Sequence, residues 1–76
     1  MKLGMLKKGQ KATIIAVSGD DLELMQRLLE MGLLEGSEVE VIHEAPFSGD
    51  PIAVQVRGAL LALRRTEANY VEVQSL

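Results

Sequence analysis

Residues 44–70 read Glu-Ala-Pro-Phe-Ser-Gly-Asp-Pro-Ile-Ala-Val-Gln-Val-Arg-Gly-Ala-Leu-Leu-Ala-Leu-Arg-Arg-Thr-Glu-Ala-Asn-Tyr, and the fold turns on how this stretch is read. Ile52, Val54 and Val56 alternate with smaller or polar residues, the period-two pattern of a strand with one buried face. Gly58 interrupts the run. A second alternation follows, with Leu61, Leu63 and Arg65 set against Leu60, Ala62 and Arg64. Two such runs on either side of a glycine predict a tight antiparallel hairpin. A turn over Thr66–Asn69 bounds it on one side, and a loop stiffened by Pro46 and Pro51 bounds it on the other. A lone hairpin is marginal in water, so further strands must cover its apolar face.

Working outward, three more segments supply them. Lys11–Val17 is rich in β-branched residues and reads as the first strand, stopped by Ser18-Gly19. Glu38–Glu44 alternates, with Val39 and Val41 facing inward and Glu38 and Glu40 outward. Tyr70–Gln74 alternates again and forms the last strand. Ahead of them all, Met1–Gln10 offers Leu3 and Leu6 as apolar anchors and Gly9 as a turn residue. The predicted core includes Ile14, Leu28, Val39, Val41, Val54, Val56, Leu63, Val71 and Val73.

Asp20–Met31 is the one helical segment. Asp20 is placed to cap it, with Glu23 three residues on as the reciprocal partner. Gly32 stands where a left-handed residue ends a helix, and Leu33 can fold back beyond it. Glu23, Gln26, Arg27 and Glu30 share one side of the wheel. Leu22, Leu24, Met25, Leu28, Leu29 and Met31 spread over about half the circumference, wider than the ~100° stripe that one packing face requires. The surplus nominates Leu24, Met25, Met31 and Leu33 as partner-binding residues. The order strand, helix, four strands is met most simply by a mainly β, partly closed barrel of about five antiparallel strands, with the helix between the first and second.

Composition narrows the function. Seventy-six residues make a single domain, 1–76, which buries only about 60% of its unfolded surface. With no cysteine there is no disulfide, thiolate metal site or thiol nucleophile. The longest apolar run, Ala59–Leu63, is far below the ~20 residues that span a bilayer, and lysines interrupt the N-terminus, so no signal peptide and no direct membrane insertion are expected and the location is cytoplasmic. A net charge of −3 argues against nucleic acid, and Lys2, Lys7, Lys8 and Lys11 read as a solvated lead-in. Two aromatics, Phe47 and Tyr70, are too few for a base-stacking platform or a proline-peptide groove.

Catalysis finds no support. Ser18, Ser37, Ser48 and Ser75 fall in turns or the tail, and there is no phosphate-cradling glycine loop. His43, Glu44 and Asp50 are the weak candidates for a metal site, since imidazole and carboxylate are suitable ligands, but a single histidine at a strand end is more simply a surface residue. No enzyme activity, no cofactor and no resident metal are expected.

Several blocks in order then carry a resemblance. Arg27-Leu28-Leu29-Glu30-Met31-Gly32-Leu33-Leu34-Glu35-Gly36-Ser37 is similar to the helix-and-turn motif of the ferrous-iron transport protein A (FeoA) family. Ala45-Pro46 with Gly49-Asp50-Pro51, Val56-Arg57-Gly58 and Leu61-Ala62-Leu63-Arg64-Arg65 resemble the second half of its pattern, so the likeness runs from about Leu3 to Val73. Glu35 stands where the family commonly has proline, Phe47-Ser48 lengthens the loop before Gly49, and Leu24-Met25 is more apolar than the usual start of the motif. The resemblance implies an SH3-like barrel, a small cytosolic accessory to ferrous-iron uptake, family-level association with transition metal ions, and the membrane GTPase transporter FeoB as partner. A weak homo-oligomer is another use of the same apolar surface. The alternative family is the SH3-like C-terminal domain of iron-dependent transcriptional repressors. With Met1 just ahead of the first element, a free-standing module is the expectation.

Overall fold

The computed structural model describes residues 1–76. A 3-10 turn at Leu3–Met5 leads into β1 (Lys11–Val17), α1 (Leu22–Glu30), β2 (Glu38–Glu44), β3 (Ile52–Val56), β4 (Ala59–Leu63), α2 (Arg65–Ala68) and β5 (Val71–Ser75). The five strands form one antiparallel sheet in the order β4-β3-β2-β1-β5. The expected strand count and the helix between the first two strands are both present. So is the hairpin, with Val56 opposite Ala59 and Leu63 opposite Ile52 across a two-residue turn. Arg57 and Gly58 both adopt positive φ, 50° and 81°, the conformation such a turn needs to follow the twist of its strands.

Alternation places one face of every strand in the core. Ala12 and Ile14, Val39 and Val41, Ile52, Val54 and Val56, Leu63, and Val71 and Val73 are all buried. Leu3 and Leu6 join them from the lead-in, and Leu28 enters from α1. Two bulges bend the sheet and change parity along it: β1 slips between Ile14 and Ala16, and β2 between Val41 and His43. The first leaves Ile15 exposed and returns Val17 to register with Val71.

Local chemistry moves three of the expected boundaries. The cap of α1 is Asp21, whose Oδ1 accepts from the Leu24 N–H at 3.0 Å. Asp20 instead accepts from the Tyr70 hydroxyl at 2.9 Å, which ties the approach to α1 to the start of β5 and raises the Tyr70 pKa, first through that hydrogen bond. The helix ends as foreseen. Gly32, at φ 101°, donates to the Leu29 carbonyl and Leu33 donates to that of Leu28, so two end carbonyls are satisfied and Leu33 folds under the helix. The segment read as a turn at Thr66–Asn69 is the one-turn helix α2, and Arg65, read as a strand residue, is its first. Glu67 closes that turn by accepting from the Arg64 N–H at 2.9 Å.

Candidate functional site: exposed surfaces on a small barrel

The helix α1 presents its residues unevenly. Leu28 is fully buried, and Leu24 and Met31 pack half-buried against the core. Leu33 is fully buried as well, so it offers nothing to a partner; the closing turn of the helix draws it inward. What remains exposed is the other edge of the apolar arc. Leu22 is 74% exposed and Leu29 40%, with the half-buried Met25 between them. Their spacing of three and four residues makes one continuous stripe. The surplus apolar surface expected of this helix therefore exists, but it runs along Leu22, Met25 and Leu29. The polar face beside it, Glu23, Gln26, Arg27 and Glu30, lines a shallow depression with no apolar wall, which lacks the character of a ligand pocket. Arg27 reaches from that face to Glu67 of α2 at 3.6 Å.

Arg65, the first residue of α2, organises a second region of the barrel. Its Nε donates to the Gly49 carbonyl at 2.9 Å, its Nη1 to the carbonyls of Gly4 and Leu6 at 2.8 Å each, and its Nη2 to Glu44 Oε2 at 2.7 Å. Its backbone N–H donates to Asp50 Oδ1 at 2.9 Å. One planar fork thus fastens the lead-in, the end of β2 and the loop before β3 together. The fit is close: a Cβ at Gly4 would lie 2.5 Å from the Arg65 carbonyl. The bulge in β2 makes the ion pair. Uninterrupted alternation from Val39 and Val41 would turn His43 inward; the extra residue sets Glu44, not His43, opposite Ile52 and leaves His43 exposed. Glu44 is held below the ordinary carboxyl range, first by the Lys8 N–H that donates to Oε1 at 2.9 Å and then by the Arg65 charge, against a partial desolvation that acts the other way.

This arrangement separates the three candidate ligands. Glu44 and Asp50 both serve Arg65, and His43 points to the other side of the sheet edge. No group of three histidine or acidic side chains is gathered anywhere in the fold. The serines act locally: Ser48 Oγ donates to the Asp50 carbonyl at 3.1 Å, and the nearly buried Ser37 Oγ accepts from Arg57 Nη1 at 3.4 Å. Through that bond the hairpin tip leans on the turn after α1, where the Arg57 stem also passes Gly32.

The loop between β2 and β3 has one further feature that the sequence did not announce. Phe47 sits at φ 72° with its side chain fully exposed, at a relative accessibility of 109%. Below it the Gly49 N–H donates to the Ala45 carbonyl at 2.9 Å, and Arg65 holds the Gly49 carbonyl. The ring is displayed on an anchored base.

These features define a class: a small β-barrel with a helix in its first connection and an exposed apolar stripe along that helix. The FeoA domain model matches residues 1–75, and the chain belongs to the FeoA family of ferrous iron transport. The Fe(2+) transport protein A/Fe(2+) transporter FeoB fusion protein of Porphyromonas gingivalis is 34% identical over 97% of this chain, which spans only 8% of that protein's length. The zinc complex of Stenotrophomonas maltophilia FeoA, described as an SH3 domain protein, superposes with a TM-score of 0.87 at 33% identity, covering 97% of this chain and 89% of that one. A manganese-dependent transcriptional repressor in complex with manganese superposes equally well, TM-score 0.87, at 25% identity, over 100% of this chain and 36% of the repressor. The fold is thus the SH3-like barrel, which part of the manganese-dependent repressor shares, and the family model assigns the chain to the FeoA family.

Proposed function

We propose that this chain is a non-enzymatic accessory of ferrous iron uptake, located in the cytoplasm, that acts by binding the GTPase transporter FeoB. The observation that carries the proposal is the Porphyromonas gingivalis fusion, in which a domain 34% identical to this chain is covalently joined to FeoB. Domains fused in one protein work at high effective concentration, and a separate chain needs a dedicated surface to do the same. The contact is assigned to the exposed edge of α1, Leu22, Met25 and Leu29, with Leu24 and Met31 behind it as support. An amphipathic helix with an unburied apolar stripe is a common way for a small module to dock. That no helix is long and apolar enough to cross a membrane fits an accessory that visits the transporter.

Ferrous iron uptake by cells that carry the transporter should fall when this chain is deleted. The parent chain should restore uptake, and Leu22→Glu combined with Leu29→Glu should not. Full rescue by the double variant at equal expression would remove α1 from the mechanism; unchanged uptake on deletion would remove the function.

A further inference from the structure

The Arg65 fork brings two segments to one rim of the barrel, and each displays an exposed apolar side chain. Segment 4–8 carries Met5, 66% exposed, together with Lys7 and Lys8. Segment 44–50 carries Phe47. Lys8 is held against the second segment by its N–H bond to Glu44, three residues before Phe47. The acidic groups at this end are occupied below: Glu44 pairs with the Arg65 guanidinium, and Asp50 caps the Arg65 N–H. Lys7 lies near enough to Glu44 to influence it, yet neither Lys7 nor Lys8 forms an ion pair, and both are exposed.

An aromatic ring held in a left-handed backbone, away from all other side chains, costs stability and gives none back through packing. The natural occupant of such a rim has to accept both a ring and ammonium groups. The interface of an anionic bilayer takes both at once: apolar tips enter the headgroup–acyl boundary and lysines lie over the phosphates. We propose that the rim of Met5, Lys7, Lys8 and Phe47 adsorbs reversibly to anionic lipid surfaces, without spanning them, and so orients the barrel at the membrane. The adsorption is independent of the α1 contact, which lies on a different element.

The test uses the full chain and vesicles of phosphatidylcholine with and without phosphatidylglycerol, read by co-sedimentation at low salt. The parent is expected to bind the anionic vesicles, to leave the zwitterionic ones free, and to be released by salt. Phe47→Asn, whose residue tolerates the same backbone, should lower partition about tenfold. Lys7→Gln and Lys8→Gln should each lower it about fivefold. In Phe47→Trp, which keeps adsorption, the indole emission should shift to the blue on anionic vesicles, a readout that needs no loss of binding. Absence of binding at low salt, equal binding by Phe47→Asn with the parent's circular dichroism, or an unshifted indole would overturn the proposal, including in favour of an acidic protein partner.

Discussion

At the scale of single residues, Arg65 and Phe47 mark the two extremes of how this chain uses a side chain. Arg65→Ala removes four side-chain hydrogen bonds and leaves the half-buried Glu44 without its cation. Losses of this kind cost about 2–4 kcal/mol, which in a domain this small lowers the melting temperature by at least ~10 °C. Arg65→Lys should recover little, because a point charge cannot serve three segments at once. Glu44 makes the same network sensitive to acid. Its folded pKa lies below the ordinary 4.5, so its contribution is present above that value and is lost as pH falls through the folded pKa. Melting curves of the parent should therefore drop in that acid window, and Glu44→Gln should start lower and lose this part of the pH dependence. Phe47→Asn should move the other way, with a stability equal to the parent or higher by up to about 1 kcal/mol, as left-handed strain is relieved. A large loss on melting would mean that the ring packs in solution.

At the scale of elements, α1 separates a buried from an exposed apolar edge. Leu28→Ala should cost about 2–5 kcal/mol, as for other fully buried leucines, and Asp21→Ala about 1 kcal/mol through the lost cap. Leu22→Glu should stay within about 0.5 kcal/mol of the parent in thermal melts. Leu24→Glu should destabilise, because Leu24 packs against the core. The alternating strands and the helix were legible in the residues because their periods differ and the buried valines fall on them in phase. The cap was one residue off because Asp20 and Asp21 offer the same chemistry, and only the distant Tyr70 hydroxyl chooses between them. Which edge of a wide apolar arc faces out depends on the tilt of the helix over β1, and no pattern within the helix encodes that. The β2 bulge was equally invisible: Ile42, His43 and Glu44 alternate acceptably in either register, and only the bulged one brings Glu44 to Arg65. Phe47 carried no local signal, since one phenylalanine in a proline-bounded loop reads equally well as a core residue.

At the scale of the whole molecule, an SH3-like barrel with a single core of fifteen residues holds its shape without a disulfide and puts its variable chemistry on the surface. The isolated chain is expected to show no GTP hydrolysis and no stoichiometric sub-micromolar binding of anaerobic Fe(II) by calorimetry, since its candidate ligands are dispersed. The central claim is a contact between the exposed edge of α1 and FeoB. It is tested most directly by titrating purified chain into detergent-solubilised FeoB and comparing the parent with Leu22→Glu/Leu29→Glu, after circular dichroism has shown the two to be equally folded. Saturable binding by the parent, weakened at least about tenfold in the double variant, is the predicted result. Equal affinity for the two proteins would contradict it.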